Sequence, residues 1–138
     1  MNVDYMVYDS VHKRYPCTVC FKKYGDKVYL IVNGIEVQFF NSKDPTAIPW
    51  GACGADYICE STGVSLVRQN AELHIKGGAK KVIISAPLLD DVPICVVGVN
   101  HKDYKILVTV VSNASCTANC WAPLTKGFLP KLHAMTAT

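Results

Sequence analysis

The chain has 138 residues, half of them apolar, with a formal net charge of +3 and seven cysteines. This length is enough for one domain with one core, and no apolar run approaches the roughly 18 residues of a membrane span. The basic pairs are scattered, whereas a nucleic-acid footprint needs clustered charge, so we expect neither a membrane segment nor a dedicated nucleic-acid site. The odd cysteine count and the lack of a basic-then-apolar leader favour reduced thiols in the cytoplasm.

The first forty residues predict an antiparallel hairpin. The runs 28–32 and 35–39 flank Asn33-Gly34, the strongest short signal for a two-residue hairpin turn. Upstream, Cys17 and Cys20 have the Cys-x-x-Cys spacing of zinc and redox sites. No second pair or nearby histidine completes such a site, so we favour two unrelated thiols and expect no bound metal.

The middle of the chain alternates predicted strands and one helix. We expect strands at 55–59, 82–85, 94–98 and 106–111, and a helix over 65–76 that Gly77-Gly78 ends. This alternation is typical of an α/β fold with a partly parallel sheet. No G-x-G-x-x-G segment, the usual opening of a dinucleotide-binding fold, occurs anywhere.

Small polar residues stand at the predicted carboxyl ends of three strands. They are Ser61-Thr62-Gly63, Ser85-Ala86 and Ser112-Asn113. Open α/β sheets bind ligands at that edge, and small side chains let a flat cofactor ring approach the backbone. Ordinary turn chemistry between strand and helix selects the same residue types, so the residues alone leave both interpretations open.

Cys116 is the candidate nucleophile. It follows a β-branched run, 106–111, that is typical of a strand buried on both faces. Ser115 is a predicted N-cap, which places Cys116 in the first turn of a helix. The helix dipole there favours a thiolate, and the unpaired amides could hold the oxyanion of a carbonyl adduct. Cys120, one turn later on the same face, is interpreted as structural.

The stretch 112–123, Ser-Asn-Ala-Ser-Cys-Thr-Ala-Asn-Cys-Trp-Ala-Pro, resembles the active-site segment of the phosphorylating, NAD-dependent glyceraldehyde-3-phosphate dehydrogenases. Matching segments follow the family's order along nearly the whole chain. They are Asp4-Tyr5-Met6-Val7-Tyr8, Trp50-Gly51, Glu60-Ser61-Thr62-Gly63-Val64, Lys76-Gly77-Gly78-Ala79-Lys80, Val82-Ile83-Ile84-Ser85-Ala86-Pro87, Gly98-Val99-Asn100-His101 and His133-Ala134-Met135-Thr136-Ala137-Thr138.

The resemblance implies a glycolytic oxidoreductase that oxidises glyceraldehyde 3-phosphate with NAD and inorganic phosphate. It implies a thiohemiacetal on Cys116, with His133 as the base. Ser115 and Thr117 match positions for the attacking phosphate, and Thr136 and Thr138 match positions near the substrate phosphate. The residues expected to line the nicotinamide are Ser61, Thr62, Gly63, Ser85 and Ala86. The family forms tetramers, so a homo-oligomer is expected.

The resemblance also implies a partial Rossmann-like sheet. We expect residues 1–113 to be a partial NAD-binding domain lacking its N-terminal G-x-G-x-x-G unit, and residues 114–138 to be the truncated start of the catalytic domain. Ala118 and Trp121 replace the family's usual threonine and leucine, and only twelve residues separate Cys120 from His133, fewer than in the family. The alternative is a non-catalytic remnant that acts, if at all, through subunit or partner binding.

Overall fold

The computed structural model describes residues 7–9, 13–86, 88–113 and 115–136, with the side chains of Asp9 and residues 130–136 left aside. The chain forms two compact units, Met1–Lys43 and Asp44–Thr138. The boundary predicted after residue 113 divides the chain differently and stays a prediction. Within the described residues, no helix is long and apolar enough to cross a membrane.

The first unit is built of antiparallel strands. Strands β1 (Tyr8–Asp9) and β2 (Lys13–Arg14) pair with each other. Strands β3 (Val19–Tyr24), β4 (Lys27–Val32) and β5 (Ile35–Phe39) form a second sheet in that order. Asn33 and Gly34 have φ angles of 52° and 84°, as a type I′ turn requires, so the predicted hairpin is confirmed.

The second unit contains a parallel sheet of three strands. They are β6 (Tyr57–Glu60), β7 (Lys81–Ile84) and β8 (Val110–Ser112), adjacent in that order. Helix α1 (Arg68–Lys76) connects β6 to β7, and helix α2 (Cys116–Thr136) follows β8. Two single 3₁₀ turns lie at Pro45–Ala47 and His101–Asp103. The predicted α/β class, a partly parallel sheet plus an antiparallel hairpin, is confirmed.

The core of this unit lies between the sheet and α1. Ile58, Val82, Ile84 and Val110 project from one face of the sheet and cluster with Ala71 of the helix. The alternate residues Tyr57 and Cys59 are exposed, so β6 is buried on one face only. Burying each Val or Ile side chain stabilises the fold by about 1.5–3 kcal/mol, which makes this single face the main source of packing energy.

Two predicted strands differ in the structure. Ile94 makes only an isolated bridge to Ser112. The Asn100 side chain bonds the Ile94 carbonyl and the Val96 amide at 2.9 and 2.8 Å, which closes a loop where a strand was predicted. The predicted strand at 106–111 shortens to β8, because the chain turns at Ile106 and Leu107, whose side chains are 73% and 88% exposed. The prediction of burial on both faces was therefore wrong, since Thr109 is also exposed and Val111, on the other face of β8, is only half-buried.

Helix α1 begins three residues later than predicted and ends where predicted. The Arg68 amide donates to Asp90 Oδ2 at 2.6 Å, so the carboxylate of a residue distant in sequence accepts an N–H that a local N-cap would otherwise accept. At the other end, Gly77 and Gly78 stop the helix as expected, and Gly78 has a φ of 102°. A Cβ at Gly78 would lie 2.7 Å from the Gly51 amide nitrogen, so this site also requires glycine for close packing.

Candidate functional site

The carboxyl ends of the three parallel strands are aligned. Glu60 pairs with Ile84 and Ile84 with Ser112 in the strand register. The segments that follow β6, β7 and β8 therefore leave the sheet at the same edge. Of the three, 61–63 and 85–86 contain the residues predicted to face a cofactor, and the third leads directly to Cys116.

Direct hydrogen bonds join these segments. Ser85 donates its hydroxyl to Ser61 Oγ at 2.7 Å and its amide to the Glu60 carbonyl at 2.9 Å. The fully buried Ser112 donates its hydroxyl to the Ala86 carbonyl at 3.0 Å. The structure therefore brings Ser61, Ser85 and Ala86 together at one edge.

The loop after β6 is held by the side chain of Glu60. The Thr62 amide and hydroxyl donate to Glu60 Oε1 at 2.7 and 2.5 Å. The Thr62 hydroxyl oxygen also accepts the Val64 amide proton at 3.2 Å. Between them, Gly63 has a φ of 72° and no atom within 4 Å of the position of an added Cβ, so its backbone faces open space.

Glu60 in turn contacts His74 of α1. Its Oε2 lies 2.9 Å from His74 Nε2, and both side chains are buried. Trp50 donates its indole N–H to His74 Nδ1 at 3.1 Å. Neither His74 nor Glu60 is among the candidate site residues predicted from the sequence. The available signal was an acidic residue at a core-facing position of a strand, two residues after Ile58.

Burial is the largest influence on the Glu60 carboxyl and by itself raises its pKa. Hydrogen bonds from the Thr62 hydroxyl and amide, and from His74, together outweigh that effect and lower the pKa from its usual 4.5. Glu60 is therefore a buried carboxylate that stays ionised at neutral pH because its oxygens are hydrogen-bonded.

Cys116 is the first residue of α2, and Ser115 caps that helix. Ser115 Oγ accepts the Ala118 amide at 3.1 Å, which confirms the predicted N-cap. The Ser115 and Thr117 hydroxyls lie 3.0 Å apart. Asn119 secures the entry to the helix by donating to the carbonyls of Asn113 and Ser115 at 2.7 and 2.9 Å. Cys116 is exposed beside the amides of the first turn.

His133, Thr136 and Thr138 are not brought to this edge by any described contact. The side chains of His133 and Thr136, and all of Thr138, lie outside the described residues. Helix α2 runs without interruption from Cys116 to Thr136. His133 lies seventeen positions after Cys116 in this helix, which is about 26 Å along the axis at 1.5 Å per residue.

Cys17 and Cys20 lie in the first unit as free thiols, Cys20 within β3. Among the residues that the structure describes, no three His, Cys, Asp or Glu side chains are grouped as metal ligands. The second unit supplies the Cys116 thiol, the hydroxyls of Ser61 and Ser85 and the buried Glu60 carboxylate.

Comparison with known proteins identifies the relatives of this chain. Residues 1–68 match the family model described as glyceraldehyde 3-phosphate dehydrogenase, NAD binding domain. The chain is 50% identical to glyceraldehyde-3-phosphate dehydrogenase from Aspergillus oryzae, over 95% of this chain and 40% of that protein. Glyceraldehyde-3-phosphate dehydrogenase 2 from Caenorhabditis briggsae is 49% identical over 100% of this chain and 45% of the relative. The enzyme from Danio rerio is 47% identical over 100% and 44%.

The similarity to the Caenorhabditis relative extends over 158 aligned positions, although this chain has 138 residues. This chain therefore lacks about twenty positions that the relative has within the matched region. The matches cover the capped cysteine helix, the parallel sheet and the antiparallel hairpin in one continuous order. The chain belongs to the glyceraldehyde-3-phosphate dehydrogenase family and spans about two fifths of the length of the curated relatives it matches.

Proposed function

We propose that this chain carries the thiol and the nicotinamide-facing edge of a phosphorylating, NAD-dependent glyceraldehyde-3-phosphate dehydrogenase. The observation that supports this most is the position of Cys116. It is exposed in the first turn of a helix capped by Ser115. That helix begins four residues after β8, and the other two strands of the same parallel sheet, β6 and β7, are followed by the paired serines Ser61 and Ser85.

In the proposed reaction, the Cys116 thiolate attacks the aldehyde carbon, and a carbon–sulfur bond forms. The carbonyl oxygen becomes the oxyanion of a thiohemiacetal, which the amides of the first helical turn stabilise. Bound NAD would supply the hydride acceptor, and loss of a hydride from the same carbon leaves a thioester on Cys116. Inorganic phosphate then cleaves the thioester to an acyl phosphate and returns the thiolate.

The hydroxyls of Ser115 and Thr117 are proposed to hold the attacking phosphate. They lie 3.0 Å apart and flank Cys116 in the sequence. A hydroxyl donates one hydrogen bond and accepts others, so the pair can turn both protons toward phosphate oxygens when an anion displaces their mutual contact. The helix N-terminus adds an attraction for the negative charge.

The edge also fits the nicotinamide half of the cofactor. Gly63 presents open backbone, and no atom lies within 4 Å of an added Cβ. The exposed Ser61 and Ser85 leave room beside the sheet end that a larger side chain would fill. We therefore propose Ser61, Thr62, Gly63, Ser85 and Ala86 as residues that line the bound ring.

By resemblance, His133 takes the thiol proton, and Thr136 and Thr138 lie near the substrate phosphate. For His133 to reach Cys116 in the same chain, α2 must bend or end between them. An α-helix is weakest at Gly127 and Pro130. Glycine loses more backbone entropy than other residues when it becomes helical, and proline has no N–H to donate to the helix. A helix that stays continuous through Thr136 favours the alternative, a non-catalytic family member that acts through subunit or partner binding.

Alkylation by iodoacetamide separates the two. With the catalytic arrangement, Cys116 reacts far faster than the other six cysteines, and NAD slows its reaction; peptide mass spectrometry after short exposures gives each rate. A catalytic chain also produces NADH from glyceraldehyde 3-phosphate and phosphate, and Cys116→Ser abolishes this, whereas Cys120→Ser retains it. Equal labelling of all seven thiols, without NAD protection, contradicts the catalytic proposal.

The setting proposed for this chain follows its relatives. We propose a cytoplasmic protein that forms a homo-oligomer, as the resemblance implies. Sedimentation velocity of the purified chain tests the second part, and a single species of 15.1 kDa would contradict it.

A further inference from the structure

We propose that Glu60 is a positioning residue that sets the shape of the loop 61–63 at the cofactor edge. In this proposal His74 holds the Glu60 carboxylate by a hydrogen bond, and Trp50 in turn holds His74. The inference rests on the proposed function for its link to NAD. Its structural part stands on hydrogen bonds that join the core to the loop.

The hydrogen bonds around Glu60 each have a defined direction. An indole nitrogen only donates, so Trp50 Nε1 must donate to His74 Nδ1, which is 3.1 Å away. His74 Nδ1 therefore carries no proton, and Nε2–H donates to Glu60 Oε2 at 2.9 Å. From the other side, the amide and hydroxyl of Thr62 donate to Oε1. All the protons point toward Glu60.

Only a carboxylate satisfies this arrangement of donors. Glu60 receives three hydrogen bonds and is 5% exposed. A neutral acid or an amide at this place would direct a proton against a neighbouring donor. Bonds to a charged acceptor are roughly twice as strong as neutral ones, so the ionised Glu60 is the side chain that fastens the loop to the core.

Thr62 is one of the residues predicted from the sequence to line the cofactor. Its hydroxyl proton is donated to Glu60, and its hydroxyl oxygen accepts the Val64 amide. The hydroxyl therefore already donates and accepts hydrogen bonds within the protein. A ligand at this edge meets the backbone around Gly63 and the methyl group of Thr62. Thr62 then contributes through the loop conformation that Glu60 imposes on it.

The test is Glu60→Gln, which keeps the shape and removes the charge. We expect amide hydrogen exchange at Thr62 and Val64 to accelerate about fivefold, since each weakened bond is worth about 1 kcal/mol and about 1.4 kcal/mol corresponds to a factor of ten, while exchange at Val82 in the core changes little. We expect NAD to bind about tenfold more weakly. Glu72→Gln, which removes a carboxylate from helix α1, is the matched control, and both quantities should stay at their wild-type values.

A second pair of variants avoids the core. Thr62→Val keeps the volume at an exposed position and removes the hydroxyl, so the Val64 amide loses its acceptor and should exchange faster. Thr62→Ser restores the hydroxyl and should restore slow exchange. If Glu60→Gln fails to fold, the Val64 exchange rates of these two variants test the inference.

The outcomes separate the two proposals. If the wild-type chain does not bind NAD, the proposed cofactor edge fails, and the exchange data alone decide whether Glu60 positions the loop. If Glu60→Gln folds and neither loop exchange nor NAD affinity changes, the inference is overturned. It is also overturned if Thr62→Val leaves the Val64 exchange rate unchanged, because the loop then keeps its shape without the link to Glu60.

Discussion

Trp50 and His74 form a hydrogen bond of 3.1 Å between the indole N–H and Nδ1, and this contact fixes the histidine as its neutral Nε2–H tautomer. Their rings also lie 5.8 Å apart, tilted by 49°. The pair joins the turn at residues 49–54 to α1, and through Glu60 it reaches the loop at the end of the parallel sheet. A side chain far from Cys116 in sequence therefore influences the edge that we assign to the cofactor.

The tautomer gives a first prediction. Trp50→Phe keeps an aromatic ring but removes the donor, which leaves His74 Nδ1 without its partner. We expect a loss of about 1–3 kcal/mol in the free energy of unfolding, the usual cost of an unsatisfied buried polar group. Urea denaturation measures it, and Trp121→Phe on an exposed face of α2 should change stability by less than about 0.5 kcal/mol. Imidazole ¹⁵N shifts of the wild-type protein should show a protonated Nε2; a protonated Nδ1 would contradict the assignment.

Glu60 gives a prediction about acid stability. Its pKa is lowered in the folded chain from an ordinary value of 4.5, so the folded state favours the ionised form. The resulting stabilisation is fully present above pH 4.5 and is lost as the pH falls through the lower folded pKa. Unfolding curves recorded from pH 6 downward should therefore show stability falling below about pH 4.5, and Glu60→Gln should reduce that slope. An unchanged slope in this variant would assign the acid sensitivity to other carboxyls.

Two glycines with positive φ should respond differently to alanine. Gly78→Ala places a Cβ 2.7 Å from the Gly51 amide nitrogen at a φ of 102°, so clash and strain combine, and we expect a loss of about 3 kcal/mol or more. Gly63→Ala meets no atom within 4 Å, so only its left-handed backbone costs energy, about 1–2 kcal/mol. Thermal unfolding of the two variants compares them directly. Equal losses would show that the 77–78 contact with residue 51 contributes little.

The sequence predicted those elements whose signals are local. Asn33-Gly34 specifies its own turn, Gly77-Gly78 ends α1, and Ser115 caps α2 through an amide three residues away. Patterns of apolar residues were less reliable. The run 106–111 has the composition of a buried strand, yet Ile106 and Leu107 lie in an exposed turn, since Lys81 Nζ holds the carbonyls of Ile106 and Val108 from a neighbouring strand.

The site shows the same division between local and distant contacts. The small residues Ser61 and Ser85 could be predicted to meet, because parallel strands end at one edge. The role of Glu60 could not be predicted from the sequence, because it depends on contacts both with Thr62 in the adjacent loop and with His74, fourteen residues later in the chain. The distance from Cys116 to His133 depends on whether α2 continues past Gly127 and Pro130. Both residues have low intrinsic helix propensity, yet the helix continues to Thr136.

The cap of α2 gives the last prediction. Ser115→Ala removes the oxygen that accepts the Ala118 amide at 3.1 Å and should cost about 1 kcal/mol. Since the first turn then frays, Cys116 loses part of the dipole and amide environment that favours a thiolate. Its alkylation should slow several-fold relative to Cys120, which lies one turn further along the same helix and serves as an internal reference. Two further variants serve as controls. Ser115→Asp keeps a capping oxygen and should retain the cap, although its added charge affects the thiolate directly. Ser115→Thr is therefore the neutral control, and it should preserve the Cys116 to Cys120 ratio. A ratio that Ser115→Ala leaves unchanged would show that the reactivity of Cys116 does not depend on the ordered helix N-terminus.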